Sequence, residues 1–212
     1  MESGDQPAAR PPNRPAGRRT LILIPIIHTE ADMGALREPI RRMTAAKLGE
    51  KSLQRNSEMV NQLWTQIEQT LEGLAISYER VRVYQDGLPV CGHELEIVSE
   101  LAKAGSRNHQ LLLKLKEKGA TIMGSESSAL LVDEYQLLQQ AFSAPRSKVP
   151  ARAASQGRTL DSLLQRRDQF LAARIDTTLQ QGETGLLLLG MLHSVEVWLA
   201  KDIRVVRPIR HL

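Results

Sequence analysis

Leu21-Ile22-Leu23-Ile24-Pro25-Ile26-Ile27 runs directly into His28, Thr29, Glu30 and Asp32. An apolar run with β-branched residues and no polar alternate reads as a strand buried on both faces. Pro25 offers no N–H to a ladder, so an irregularity or an open edge is expected there. The run Leu186 to Leu189 is of the same kind and exits into Gly190-Met191-Leu192-His193. Two shorter runs exit into polar residues as well. Val81-Arg82-Val83-Tyr84 leads to Gln85-Asp86, and Ala120-Thr121-Ile122-Met123 leads to Gly124-Ser125-Glu126. A last strand is read at Ile203-Arg204-Val205-Val206.

Helical patterns fill the intervals. Across 52–76, Val60, Leu63, Trp64, Ile67, Leu71 and Leu74 share one face. Helices are also read at 94–104 and 107–118, broken at Gly105-Ser106, and at 127–141, where Leu130, Leu131, Tyr135 and Leu138 share a side. A long helix is expected over 159–181 and a short one over 194–201. Strands alternating with helices imply crossover connections. The expected fold is therefore a single α/β domain, with a mostly parallel sheet flanked by helices.

The chain of 212 residues suits one such domain. Aromatics make up only 3%, so the core must be aliphatic. Residues 1–18 hold four of the ten prolines, with Gly, Ala and Arg, and read as a disordered tail before a domain spanning 19–212. Residues 143–158 have a similar composition and read as a flexible loop. The net charge of +4 sits at the ends, in Arg10, Arg14, Arg18 and Arg19 and in Lys201, Arg204, Arg207 and Arg210. The body between is near neutral, which argues against a nucleic-acid surface. The single cysteine, Cys91, rules out an internal disulfide and agrees with a reducing cytoplasm. Neither a leader peptide nor a membrane span is expected.

Open parallel sheets bind ligands beyond the carboxyl ends of their strands. In this sequence those ends carry His28 and Glu30, Asp86, Glu126 and His193. Two imidazoles and a carboxylate on one rim suit a divalent transition metal, Zn, Mn or Co. His28, Glu126 and His193 are the candidate ligands. Taken singly, either His could instead cap a helix or sit half-buried and hydrogen-bonded. Glu126 could be a helix N-terminal carboxylate, and Asp86 before Gly87 a turn residue. In the long helix Leu160, Leu163, Leu164, Leu171, Ile175 and Thr178 form the apolar stripe. Arg167 falls in its middle, Arg174 near its edge and Asp168 on its flank. A buried-face Arg calls for an anionic partner or a ligand, unless it snorkels to solvent. The Gly105–His109 turn could hold an anion on its free N–H groups, but it lacks the full phosphate-loop pattern.

Three segments carry a family resemblance. Gly190-Met191-Leu192-His193 after an apolar strand is similar to a Gly-x-x-His motif. Pro25-Ile26-Ile27-His28 is similar to its N-terminal counterpart, with Pro for Gly. Arg167-Asp168 resembles the Arg-Asn/Asp helix that precedes the last motif. Together they resemble the TraB/Tiki superfamily, which also takes in erythromycin-esterase-like and ChaN-like proteins. The resemblance implies an α/β fold. For Tiki-like members it implies metal-dependent peptide hydrolysis with the two His and an acidic residue at the metal. ChaN-like members bind haem instead, and erythromycin-esterase-like members hydrolyse without a required metal.

The expectation is a metal-dependent hydrolase of a peptide or ester bond. His28, Glu126 and His193 would be ligands or acid/base groups, Glu30 or Asp86 would support the ligands from behind or activate water, and Arg167 would stabilise developing negative charge. The substrate would be a small molecule or peptide. The alternatives are a binding module that holds a small anion or cofactor on the same rim without turnover, and an interaction protein using its basic tails.

Overall fold

The computed structural model describes residues 18–32, 50–143 and 149–209, and within these not the side chains of Glu30, 50–57, 141–143 or 149–156. The expected tail, apart from Arg18, lies outside the described residues. In chain order the elements are β1 (Arg19–Ile26), α1 (Glu50–Glu72), β2 (Val81–Gln85), α2 (Glu94–Lys103), α3 (Arg107–Glu117), β3 (Thr121–Met123), α4 (Ser128–Ser143), α5 (Val149–Thr178), β4 (Thr184–Gly190) and β5 (Ile203–Val206). The strands form one five-stranded sheet in the order β3-β2-β4-β1-β5, with every pair parallel. No described helix is long and apolar enough to cross a membrane.

Strand alternation sorts the apolar residues onto two faces. Ile22, Ile24 and Ile26 of β1, Leu186 and Leu188 of β4, and Val81 and Val83 of β2 form one core with Trp64 and Ile67 of α1, Val98 of α2 and Leu112 of α3. Leu21, Leu23, Leu187, Leu189 and Tyr84 form the other with Leu171, Ile175 and Leu179 around α5. A fully buried side chain such as Leu171 or Ile175 contributes roughly 1.5–3 kcal/mol. The two central strands therefore read apolar at every position because both their faces are covered.

Pro25 is accommodated as an open edge allows. It sits in register with Leu189 of β4. On the other side β5 pairs only with Arg19–Ile22, so β1 runs past the end of that ladder before Pro25 is reached. Gly185 permits close packing beneath, since a Cβ there would lie 2.6 Å from Leu21 Cδ1.

Two expectations differ from the structure. The loop expected over 143–158 is helical from Val149 onward, as the start of α5. Pro150 falls in the first turn, where its missing N–H costs no hydrogen bond, and Ala151, Ala153 and Ala154 favour helix. The short helix expected over 194–201 is a single 3-10 turn at Val195–Trp198, and Leu199 returns to extended backbone.

Candidate functional site

Register builds the site. Gln85 of β2 lies level with Leu188 of β4, and Ile26 of β1 with Gly190. The N–H of Asp86 donates to Leu188 O at 2.9 Å, which places its carboxylate beside the end of β4. Asp86 Oδ2 accepts the Gly190 N–H at 3.0 Å. The same oxygen lies 3.0 Å from His28 Nε2 and 3.5 Å from His193 Nε2. The two imidazoles expected at strand ends thus meet across one carboxylate oxygen. Gly190 makes this possible, because a Cβ there would stand 2.7 Å from Asp86 Oδ2.

The other Asp86 oxygen is taken by Arg167. Its Nη2 donates to Asp86 Oδ1 at 2.7 Å and to Glu126 Oε1 at 2.9 Å, while its Nε reaches Glu126 Oε2 at 3.3 Å. Its Nη1 bonds both oxygens of Glu134 on α4, at 3.0 and 2.9 Å. Leu163, Arg167, Leu171 and Ile175 of α5, with Leu179 just past its end, form one buried row at four-residue spacing. One guanidinium in that row satisfies three carboxylates. Glu126 is held from the backbone side too. Its N–H donates to Leu88 O at 3.0 Å and its carbonyl accepts from Val90 N–H at 2.9 Å, stitching the turn after β3 to the turn after β2.

Asp168, the next residue on α5, orients His193. Its Oδ1 accepts from His193 Nδ1 at 2.6 Å and its Oδ2 from the Ser194 N–H at 2.8 Å. The His193 N–H closes a tight turn on Gly190 O at 3.2 Å. This turn folds the imidazole back over the strand end, which accounts for the two-residue gap between Gly190 and His193. With Nδ1 donating to a carboxylate, Nε2 is turned towards Asp86 and the cavity.

Ionisation follows from these contacts. Burial opposes charge on His193, but Asp168 and Asp86 outweigh it and raise its pKa to about 9. His28 is raised against burial by Asp86. Burial would lift Asp86, yet hydrogen bonds from His193 and His28 hold it well below the usual carboxylate range. Glu126 goes the other way, because burial raises it and Arg167 offsets only part of the effect.

The rim opens into a cavity of about 680 Å³, bordered by His28, Asp86, Arg167 and His193 on the polar side and by α2 and α4 side chains such as Ile97, Leu101, Leu131 and Leu138 on the apolar side. That is within the size of small-molecule sites, and the mix of apolar wall with a few convergent polar groups is typical of them. Asp86, Glu126 and His193 also offer ligand atoms within 4.8 Å of one another, a buried group at metal-binding separation.

The expected site residues are therefore all brought together except Glu30, whose side chain lies outside the described residues. Their tasks differ from expectation. Asp86, expected in a supporting part or as a turn residue, is the hub. Glu126 gives both oxygens to Arg167. Arg174 does not reach the rim group and donates to Gly124 O at 3.0 Å. Two participants were missed, the anchoring part of Asp168 and the whole of Glu134. Asp168 had a readable signal, a carboxylate next to an Arg on a buried stripe. Glu134 had none beyond its place on α4. No protein-family model, curated protein or solved structure matches this chain.

Proposed function

We propose that this chain is a metal-dependent hydrolase of an ester or peptide bond, with His28, Asp86 and His193 holding a divalent ion at the pocket floor. The observation that carries the reading is the convergence of both imidazoles on Asp86 Oδ2, at 3.0 and 3.5 Å. Ligands ~2.0–2.2 Å from a shared tetrahedral ion stand roughly 3.4 Å apart, so each imidazole lies at ligand spacing from Asp86 Oδ2, and Asp86, Glu126 and His193 offer ligand atoms within 4.8 Å of one another. Asp168 behind His193 supplies the outer carboxylate that commonly fixes a ligating imidazole. An ion held there would supply Lewis acidity to a substrate oxygen.

The remaining chemistry belongs to the chain. His193, kept with its Nδ1–H on Asp168, turns Nε2 towards Asp86 as the nitrogen that would hold the ion. Arg167, with its donors on Asp86, Glu126 and Glu134, fixes these carboxylates behind the site. The apolar wall limits water around the bond to be cleaved. The TraB/Tiki resemblance adds the expectation of hydrolysis at the same His residues.

A second reading has one observation in its favour. Both oxygens of Asp86 have donors from the protein itself, in Arg167, Gly190 and His28. This supports a site that holds a small ligand without metal or turnover. Metal analysis of the purified protein, thermal shifts with Zn²⁺, Mn²⁺ and Co²⁺, and a screen of chromogenic esters and peptides separate the two. The hydrolase reading expects bound metal or a clear stabilisation, lost in His28→Ala and His193→Ala, together with turnover. A metal-free protein that no ion stabilises sinks the metal assignment, and no turnover with any ion sinks the hydrolase.

A further inference from the structure

The cavity has a second polar corner that the hydrolase reading leaves unused. Asp32, in the turn after β1, and His109, near the start of α3, both border it. They are joined through Ser106, which is fully buried. Ser106 Oγ donates to Asp32 Oδ1 in a short contact and stands 2.7 Å from His109 Nδ1. It also accepts the His109 N–H at 3.2 Å. Asp32 Oδ2 is occupied by Thr29, accepting from its N–H at 2.5 Å and its Oγ at 2.8 Å.

Counting protons fixes the tautomer. Burial would raise the Asp32 pKa, but His109, Ser106 and Thr29 bring it down to about 2, so this carboxylate is ionised and has no proton to give. A serine hydroxyl has one proton, and the contact with Asp32 uses it. The bond between Ser106 Oγ and His109 Nδ1 must then be donated by Nδ1. Asp32 Oδ1 also lies 3.4 Å from Nδ1, so both partners hold that side of the ring and Nε2 is the nitrogen left over, an acceptor whenever the ring carries one proton. His109 is 6% exposed, and its Nε2 has no hydrogen-bond partner among the described residues. An imidazole held at Nδ1 and without a partner at Nε2 among the described residues, on the wall of a cavity that has His28, Asp86, Arg167 and His193 at its other corner, is placed to meet a ligand.

We propose that His109 is a specificity-determining residue that accepts a hydrogen bond from a hydroxyl, amine or amide N–H on the apolar body of the substrate, away from the bond that is cleaved. The substrate class is thus an apolar ester or amide carrying one such donor, not a plain hydrocarbon chain. Ser106 and Asp32 are positioning residues that hold the tautomer. The substrate part of this inference rests on the hydrolase reading, whereas the acceptor itself does not.

The test uses the full-length protein and p-nitrophenyl esters of straight-chain acids, paired with their ω-hydroxy counterparts over a range of lengths. At the best length the hydroxylated ester is expected to be favoured roughly two- to tenfold in kcat/KM, the worth of one hydrogen bond. His109→Phe should abolish that preference, read as the ratio of kcat/KM for the two esters, and His109→Gln, which restores an acceptor oxygen, should recover part of it. Should no ester turn over, the hydrolase reading fails, and binding of the plain and hydroxylated acids themselves, by calorimetry, still reads the preference. Nitrogen-15 NMR of the wild-type imidazoles provides a measurement that needs no variant, with His109 expected as the Nδ1–H tautomer. Equal handling of the paired probes at every length, a preference that survives His109→Phe, or an Nε2–H tautomer would overturn the proposal.

Discussion

Replacing Arg167 by Met keeps much of the side-chain volume and removes the charge. Asp86 and Glu126, both buried, lose guanidinium bonds of 2.7 and 2.9 Å. Removing one partner of a buried ion pair costs about 3–5 kcal/mol, because the other charge is left uncompensated. Glu134 is more open, at 30% side-chain exposure, and adds less than about 1 kcal/mol. Urea unfolding with a slope near 2–3 kcal/mol/M would register the loss as a midpoint lowered by about 1–2 M. The deficit should depend on pH. Arg167 now works against burial at Glu126, so without it the folded-state pKa of Glu126 climbs further above its unfolded value. The folded variant then binds a proton that the unfolded chain does not, and the penalty shrinks as pH falls from about 8 to about 5. Adding Glu126→Gln to Arg167→Met removes the stranded charge and should recover about 1–3 kcal/mol at the higher pH. An Arg167→Met protein within about 1 kcal/mol of wild type at both pH values, or a double variant no better than the single, would refute the pairing account.

Gly190→Ala should lower stability by about 1–3 kcal/mol, since the new methyl would press on Asp86 Oδ2 at 2.7 Å. Gly185→Ala meets buried side chains on several sides, Leu21 Cδ1 at 2.6 Å, Leu179 Cδ2 at 3.3 Å and Tyr84 Cε2 at 3.5 Å, and should also lower stability by about 1–3 kcal/mol, so an unchanged urea midpoint in either variant would contradict the packing. In EDTA-treated protein, Asp168→Asn should drop the His193 pKa from about 9 towards its ordinary 6.5, read by NMR titration. The sign follows from linkage. A folded pKa above the unfolded one adds stability that is complete below pH 6.5 and is lost as pH rises through about 9, up to about 3 kcal/mol here. Asp168→Asn should flatten that loss, and an unchanged slope would show that Asp168 does not set it.

Much of the layout was legible because it is local. The runs around Leu23 and Leu187 declare buried strands, and the polar residue after each run marks the rim. Arg167 stood out as a cation on a buried row of α5. The pairing order was not legible, because nothing in the period of β4 says that it enters between β1 and β2. Asp86 looked like a turn residue for that reason, as its hub position exists only once Gly190 lies alongside. The corner at Ser106 and His109 reads as an ordinary loop-to-helix turn, and its unpaired nitrogen appears only when α3 packs beside the turn that holds Asp32. The helical start at Val149 was hidden by a composition that suits loops and first turns alike.

The strand order also bears on how the chain can be made. β1 pairs only with β4 and β5, which begin at Thr184 and Ile203. During synthesis on the ribosome, β2 and β3 can join early, while β1 waits without a neighbour on either edge until β4, which begins only at Thr184, has emerged. An unpaired apolar strand is a template for wrong partners, and such exposure is a common route to aggregation. Pro25 stands inside that strand. A proline breaks the run of N–H groups that stacked copies would need, so the residue that the finished sheet merely tolerates serves to protect the unfinished one.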